Sequence, residues 1–475
     1  MKNIFISGKE QDIPAVLANK DRRAAVQRRL VADYPEMTVV AAKLNIPGPI
    51  KNNSAIKEFF VAGLYQLEQQ WLQAGTAFYQ KGQWLEAGTG PERFYLVKAA
   101  ATTVKKATTA FEEATASNRL FDLDVLVKEG EQVRPLSRAD SSQPARRCFV
   151  CGRPAKECGR SRRHSVAKLQ AAVNELIVGA LATAHQSVVS DRLVQFAQRA
   201  LLYEVMAWPK PGLVDPVEHG AHPDMDAFTF INSSVALHRY LYQAAEVGMH
   251  ASTADYPLLF NELREFGKVA EQDMFVATKA VNTHKGAVFS LGVLVMATAA
   301  SWHKRGRIDL ADIQSVVKAA LVDLVKGDLK QQPAAPNETA GEQQYRKYGL
   351  TGIRGEAQAG YPTVFRYGLP TMLKTAGTWN TRIVQTLLAL ARHTEDSTLI
   401  KRAGDPAILK WKDQQVDQCL AAGGVTTAAG RALLNDLEQE FTRRHLSLGG
   451  TADLVILTVF LTIVKEELAD GLANE

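Results

Sequence analysis

Midway along the chain, three short stretches gather side chains suited to holding a metal and a polyphosphate around a reacting sugar. Residues 209–215 contain Lys210, Gly212 and Asp215; residues 220–225 contain Gly220, His222 and Asp224; and residues 282–286 contain Asn282, His284, Lys285 and Gly286. Carboxylates and imidazoles ligate metals or move protons, lysine neutralises phosphate oxygens, and glycine lets backbone come close to a ligand. Further acids follow at wide spacing, at Glu204, Asp273, Glu356, Asp396 and Asp453. Arg354-Gly355-Glu356 and residues 449–453 resemble further rims of one cleft. Taken singly, each acid reads as a helix cap or a solvated residue. As a set beside glycines they point to an enzyme site for a nucleotide.

The N-terminal part carries a different constellation. Asp122 and Asp124 are two residues apart, which on a strand puts both on one face, while Phe121, Leu123, Val125 and Val127 make the other face apolar. Two aspartates so placed could bind Mg²⁺ and, through it, a phosphate under attack; the alternative is a half-exposed strand with solvated carboxylates. Residues 134–163 then carry nine Lys/Arg, Arg134, Arg138 and Arg160 among them, against only Asp140 and Glu157. Like charges at this density repel, and phosphate oxygens or an acidic protein surface would relieve the repulsion. Within the run, Cys148, Cys151, Cys158 and His164 offer a three-sulfur, one-nitrogen set for Zn²⁺, with reduced structural thiols as the alternative. A zinc knuckle in a basic segment also suggests nucleic acid, although no aromatics interleave with it.

The elements that must position these residues fall into two classes. Residues 18–34 and 55–74 have helical spacing, and residues 37–46, 94–101 and 119–128 read as strands. From about residue 174 strand signals stop and three-four periodicity takes over, at 192–206, 228–247, 258–278, 287–304, 310–325, 371–393 and 451–468. This predicts a multidomain chain: an N-terminal α/β or α+β domain over residues 1–182, then an all-helical domain over residues 190–475. The small, polar stretch at 180–190 is the expected join. Residues 330–342, with the sequence Gln-Gln-Pro-Ala-Ala-Pro inside them, read as a mobile loop, and no internal repeat is visible.

At 475 residues the chain exceeds one hydrophobic core, and its apolar content of 46% is that of a globular protein. Residues 1–190 hold 27 Lys/Arg against 18 Asp/Glu, and the remainder 29 against 32, so the net charge of +6 is +9 in front and −3 behind. The two parts therefore face different partners. The apolar run at 287–302 is about 16 residues, short for a bilayer span and expected to be a buried core helix. Four cysteines do not make a disulfide framework, and the first ten residues turn polar too early for an export signal. These features predict a cytoplasmic location.

Residues 119–125, the Arg-Pro-Leu-Ser-Arg of 134–138 and the Cys/Arg/His motif of 148–165 resemble the citrate lyase holo-acyl-carrier-protein synthase family. The motifs around residues 209–225, 282–286, 354–362 and 449–453 are similar to those of the triphosphoribosyl-dephospho-coenzyme A synthases. The chain departs from the latter pattern at residues 216–219 and at Thr398 and Ala403. The resemblance implies that the C-terminal domain joins ATP to 3′-dephospho-coenzyme A with loss of adenine. It implies too that a nucleotidyltransferase-like N-terminal domain moves the product onto a serine of the apo acyl carrier protein of citrate lyase, releasing pyrophosphate.

Under it, Asp122 and Asp124 hold Mg²⁺ in front; Asp215, Asp224, Asp273 and Glu356 supply metal ligands or base behind, with Asp224 and Asp273 as the Mg²⁺ pair. Lys210, Lys285 and Arg354 grip phosphates beside Gly212 and Gly286, and His222 and His284 donate protons or orient. Arg134, Arg138 and Arg160 hold the triphosphate in front. It implies no nucleic-acid or membrane partner. Two other readings compete: a nucleic-acid-binding or modifying protein using the basic Cys/His segment, and a helical metal-dependent nucleotide-sugar hydrolase with a docking domain.

Overall fold

The computed structural model describes residues 3–251, 255–329 and 340–468. The chain divides into two compact units, Met1–His185 and Gln186–Glu475. The first is built on β1 (Thr38–Leu44), β2 (Phe78–Trp84), β3 (Glu92–Val97), β4 (Phe121–Glu129) and β5 (Gln132–Pro135). They form one sheet in the order β2-β3-β1-β4-β5, each pairing antiparallel. An antiparallel sheet with helices makes this unit α+β. Its helices are α1 (Ile13–Asp33), α2 (Ser54–Gln73), α3 (Ala101–Ala114) and the short α4 (Ala155–Arg160). The 41-residue α5 (Val166–Met206) begins in the first unit and ends in the second.

The central strands are apolar on both faces, and this fixes their register. Val40, Ala42, Leu123 and Val125 join residues of α2 and α3 in one core, while Val39, Ala41, Phe94, Leu96 and Leu126 meet Leu30 of α1 in another. A slip of one residue between β1 and β4 would exchange the two sets. Phe121 anchors the larger core, with ring centroids 5.2 Å from Phe59 and 5.3 Å from Phe111.

All regular secondary structure among the described residues of the second unit is helical. After α5 come α6 (Ala227–Ala236), α7 (His238–Met249), α8 (Tyr256–Ala277), α9 (Lys285–Arg305), α10 (Leu310–Ala320), α11 (Leu324–Asp328) and α12 (Ala340–Tyr348). Then follow α13 (Gly352–Gln358), α14 (Leu369–Lys374), α15 (Trp379–His393), α16 (Ser397–Ala403), α17 (Ile408–Ala421), α18 (Ala428–Arg443) and α19 (Gly449–Leu468). The apolar run of 287–302 lies in α9, buried from Ala287 to Ser301 except at Phe289, as a core helix of this unit.

Residues 180–190, the expected join, contain the division between the two units, at His185/Gln186, and are helical there as part of α5. Several other expectations need correction. The helix expected at 371–393 is two helices, because Gly377 takes φ +118° and Thr378 caps a new start by accepting from Thr381 N–H. Residues 228–247 and 310–325 are likewise each split in two, at Leu237 and at 321–323. Consecutive helices kept the three-four spacing across the break, so periodicity alone did not reveal it. Of the loop expected at 330–342, residues 330–339 lie outside the described residues, and from Ala340 the chain is helical.

Replacing Phe121 by Ala should lower the opening free energy of the β1 and β4 amides by about 3–5 kcal/mol in native-state hydrogen exchange, the cost of deleting a buried aromatic.

Candidate active sites

In the first unit the site is built on the α1-side face of the sheet. Register sets Lys43 of β1 opposite Asp122 of β4, so its ammonium reaches both strand carboxylates, at 2.8 Å from Asp122 Oδ2 and 2.5 Å from Asp124 Oδ2. Arg146 donates to Asp122 Oδ1 at 3.2 Å and is fixed by the carbonyls of Arg119, at 2.9 Å, and Phe121. Burial alone would push the Asp122 carboxyl up, but Lys43 and then Arg146 reverse this and hold it below the usual range. Burial likewise opposes the charge on Lys43, and the two aspartates override it and raise its pKa.

An ionised carboxylate has about four acceptor positions, and the ammonium and guanidinium fill only part of that capacity. With Asp122 36% and Asp124 28% exposed, the pair fits an additional cation on its solvent side. Arg138 bonds Glu113 at 2.6 Å and also Glu112, whose other oxygen accepts Leu123 N–H at 2.9 Å. Arg134 is engaged elsewhere, with Glu129 and Asp140, and Arg160 is exposed at the end of α4. From the arginine run, Arg146 thus contacts the aspartates and Arg138 braces β4 through Glu112. Lys43 had no sequence signal and is revealed by the pairing register; Arg146 belongs to the arginine run, but nothing in the sequence singled it out within that run.

Cys148, Cys151, Cys158 and His164 come together, with all four donor atoms within 4.8 Å of one another. The Cys151 and Cys158 sulfurs are 3.3 Å apart, and His164 Nε2 is 3.3 Å from Cys151 Sγ. The backbone N–H of Arg153, then Cys158 and His164, lower the Cys151 thiol to about 6, while Cys158 is pushed up to about 11, chiefly by its contact with Cys151. This cluster borders a cavity of about 530 Å³ whose lining includes Asn45, Arg119, Arg146, Arg147 and Arg162.

In the second unit, a small cavity of about 80 Å³ is lined by Glu204, His222, Phe230, Asn282, His284 and Asp453 among others. Glu204 comes from the last turn of α5, and the loop that follows folds back so that Lys210, 1% exposed, bonds its carboxylate at 2.5 Å and its carbonyl at 2.6 Å. The loop needs Gly212, which has φ +69° and where a Cβ would lie 2.1 Å from the Leu446 carbonyl oxygen. Lys210 is therefore a buried ion-pair partner rather than a free phosphate hook. Asp215 on the same loop accepts from the N–H groups of Val217 and Glu218, both at 2.8 Å, and burial raises its pKa. Its neighbour Glu438 of α18, half-buried beside that carboxyl, is raised to about 7, by loss of solvent first and then by Asp215.

His284 caps the start of α9, and its Nδ1 is 2.7 Å from Ser233 Oγ, which also accepts from Thr283 Oγ1 at 2.8 Å. That chain assigns the Ser233 proton to Nδ1 and leaves Nε2–H as a buried donor without a protein partner among the described residues. Burial, with Lys210 nearby, lowers His284 to about 3, so the ring is neutral at physiological pH. His222 is held at both nitrogens, by Arg402 at 3.0 Å and Ser447 Oγ at 2.9 Å, and burial with Arg402 lowers it to about 4.

Asp453, the fifth residue of α19, faces Gly286 of α9, where a Cβ would meet its Oδ2 at 1.9 Å. Burial, then the carboxylates of Asp396 and Glu204, raise it to about 8. Sequence reading placed Asp453 only on a rim; its protonation follows from packing that spacing does not encode. A larger cavity of about 380 Å³ beside Gly286 is lined by Lys285, Arg264, Lys268 and Arg354, with apolar walls including Phe260 and Phe289. Lys285 pairs with Glu271 at 2.9 Å and Arg354 with Asp328 at 3.3 Å. Glu356 lines a third cavity, accepts Thr363 N–H at 2.7 Å, and is raised by burial. Asp224 and Asp273 are exposed and line none of these cavities.

The first unit thus holds paired aspartates beside Lys43 and Arg146, and the second a small cavity whose lining includes Asp453, His222 and His284. The family described as apo-citrate lyase phosphoribosyl-dephospho-CoA transferase (CitX) matches residues 11–179, and that described as ATP:dephospho-CoA triphosphoribosyl transferase (CitG) matches residues 190–471. Protein CitXG of Leuconostoc mesenteroides subsp. cremoris is 38% identical over 462 residues, covering 96% of this chain and 98% of that protein. Protein CitXG of Haemophilus influenzae is 30% identical over 463 residues, covering 95% and 96%. A probable 2-(5''-triphosphoribosyl)-3'-dephosphocoenzyme-A synthase of Lactiplantibacillus plantarum is 47% identical over 278 residues, covering 58% of this chain and 98% of that protein. The chain belongs to the CitXG family of bifunctional transferases.

Lys210→Met should leave Glu204 as an unpaired buried charge and cost about 3–5 kcal/mol in denaturant unfolding; adding Glu204→Gln should recover part of that loss.

Proposed function

We propose that the second unit makes 2′-(5″-triphosphoribosyl)-3′-dephospho-coenzyme A from ATP and 3′-dephospho-coenzyme A, and that the first transfers it to a serine of the apo acyl carrier protein of citrate lyase. What carries this reading is that the two family matches fall on the two structural units, and each unit has its own charged cavity. In the synthase step the ribose 2′-oxygen bonds to C1′ of ATP while the bond from C1′ to adenine breaks. The hydroxyl proton goes to a base and adenine takes up a proton.

Asp453, raised to about 8, holds the proton that adenine receives. The neutral Nε2–H of His284 orients the departing base, and His222, engaged at both nitrogens, positions the loop around it. Lys285 and Arg354 take the phosphates, the apolar wall beside them takes the pantetheine arm, and Glu356 or Asp215 receives the hydroxyl proton. Asp224 and Asp273, the pair expected from sequence for Mg²⁺, are exposed and line none of these cavities; Mg²⁺ bound with ATP would supply charge neutralisation at its phosphates.

In the transfer step the serine oxygen bonds to the phosphorus next to the ribose, and pyrophosphate leaves. Paired aspartates on one strand of an antiparallel sheet suit nucleotidyl transfer, and we read the first unit as nucleotidyltransferase-like. Asp122 and Asp124 would hold Mg²⁺ at the attacked phosphorus, with Lys43 and Arg146 set beside it to meet the developing charge. Arg134, Arg138 and Arg160 add to the positive field, and the excess of +9 over residues 1–190 would steer an acidic carrier protein. Such substrates place the enzyme in the cytoplasm, with neither nucleic acid nor membrane as partner. The Cys/His cluster would take Zn²⁺.

Incubation with ATP, dephospho-coenzyme A, Mg²⁺ and apo carrier should add the prosthetic-group mass to the carrier, read by intact-mass spectrometry; an unchanged carrier refutes the assignment. Asp122→Asn should abolish that gain while adenine release continues. Asp453→Asn should slow adenine release by about 10²–10⁴-fold. Because the acid works in its protonated form, wild-type adenine release should fall as pH rises through about 8, and the variant should lack that limb. A wild-type profile flat between pH 7 and 9 excludes Asp453 as the donor.

A further inference from the structure

We infer that Cys148, Cys151, Cys158 and His164 bind one Zn²⁺ as a closed structural site, and that this ion holds in place the wall of an arginine-lined cavity that receives the polyphosphate of the nucleotide donor. The metal half stands on geometry alone, and the donor half rests on the transferase reading of the first unit. Three sulfurs and one imidazole nitrogen form a common structural zinc set, and four protein ligands leave no open position for catalysis. All four donor atoms already lie within 4.8 Å of one another, where a tetrahedral site with Zn–S of about 2.3 Å has sulfurs about 3.8 Å apart. The Cys-x-x-Cys turn has the required backbone: Cys148 N–H donates to Arg153 O at 2.6 Å, Gly152 N–H to Cys148 O at 2.9 Å, and Gly152 takes φ +70°.

The case for a structural role comes from what the segment lacks. Between residues 142 and 165 the buried residues are Cys148 and Cys158 alone, and regular structure is limited to α4 and one bridge between Arg147 and Pro154. A stretch that buries so little apolar surface cannot offset its ordering entropy and needs a staple. The same stretch supplies one side of the 530 Å³ cavity: Arg146, Arg147 and Arg162 line it together with Cys148, Cys158 and His164, and Arg119 faces them from before β4. Four guanidiniums converge on a space large enough for a nucleotide, and Arg146 links it directly to Asp122. Guanidiniums bind phosphate oxygens in bidentate fashion, and a donor seated there has its phosphates near the paired aspartates.

The full chain, purified with reductant and without chelator, should contain one zinc per molecule by inductively coupled plasma mass spectrometry. Cys151→Ser and His164→Ala should lose it, and Cys419→Ser should keep it. Exchange of the ion for Co²⁺ should give the sulfur-to-cobalt absorption of a tetrahedral thiolate site, which tests the metal on wild-type protein even if the variants fail to fold. Removing the ion should reduce carrier labelling at least tenfold while adenine release from ATP stays unchanged, and added Zn²⁺ should restore labelling. Near-zero zinc, with Cys151 and Cys158 found as free thiols or a disulfide by peptide mass mapping, overturns the metal site. One zinc whose removal leaves labelling intact overturns its coupling to the donor cavity. If untreated wild-type protein labels no carrier, the transferase reading fails, and the zinc count still decides the metal site.

Discussion

The second unit depends on a single buried carboxylate that caps two helices at once. Asp396 is fully buried; its Oδ1 accepts from the N–H groups of Thr398, Leu399 and Gly450, and its Oδ2 from the N–H and hydroxyl of Thr451. A buried charge is tolerated only when its acceptor capacity is filled, and helix N-termini provide both free donors and a favourable dipole. Serving α16 and α19 together, it brings the start of α19 to a fixed place. Asp453 follows as the fifth residue of that helix. Its neighbour across the cavity is the first turn of α9, where only glycine at 286 leaves room for the carboxyl. Asp453 is therefore placed by helix termini rather than by a loop of its own.

The first unit solves a similar problem with opposite signs. Its strand aspartates would repel each other if left alone on a partly buried face, and Lys43 and Arg146 neutralise them. Arg146 is itself anchored by two backbone carbonyls, so its position does not depend on the carboxylate it meets. Both sites are thus held by contacts within the protein itself, and charge stabilisation by groups already in position has a low reorganisation cost.

How much of this the sequence disclosed can be judged residue by residue. The alternation of residues 121–127 was enough to set Asp122 and Asp124 on one face, because a strand has period two whatever surrounds it. The spacing of Cys148, Cys151, Cys158 and His164 named the four side chains whose donor atoms the structure gathers within 4.8 Å of one another. Lys43 was invisible because its role depends on pairing with a strand some eighty residues later. Lys210 was misjudged as a phosphate ligand for the same kind of reason: its burial is decided by the turn at Gly212 and by Glu204, not by its own neighbours. The helix at 371–393 failed locally, since two helices in phase carry the same periodicity as one, and β2, with only intermediate and exposed residues, lacked an apolar face to announce it.

The same packing sets the charge state of the small cavity. Asp453 is raised to about 8 and His284 lowered to about 3, so near neutral pH both are uncharged, although each carries a proton toward the cavity. The permanent charges beside them, Glu204 and Lys210, cancel within 2.5 Å. A site of this kind offers hydrogen-bond donors without a positive charge. A sugar becoming oxocarbenium-like would be repelled by an imidazolium or a free ammonium in the same space, and here it meets neither. Proton donation to a leaving base and tolerance of a cationic sugar usually conflict. Burial first, and then the carboxylates of Asp396 and Glu204, keep Asp453 protonated, so under the proposed role one packing arrangement supplies both a proton donor and surroundings without a free positive charge.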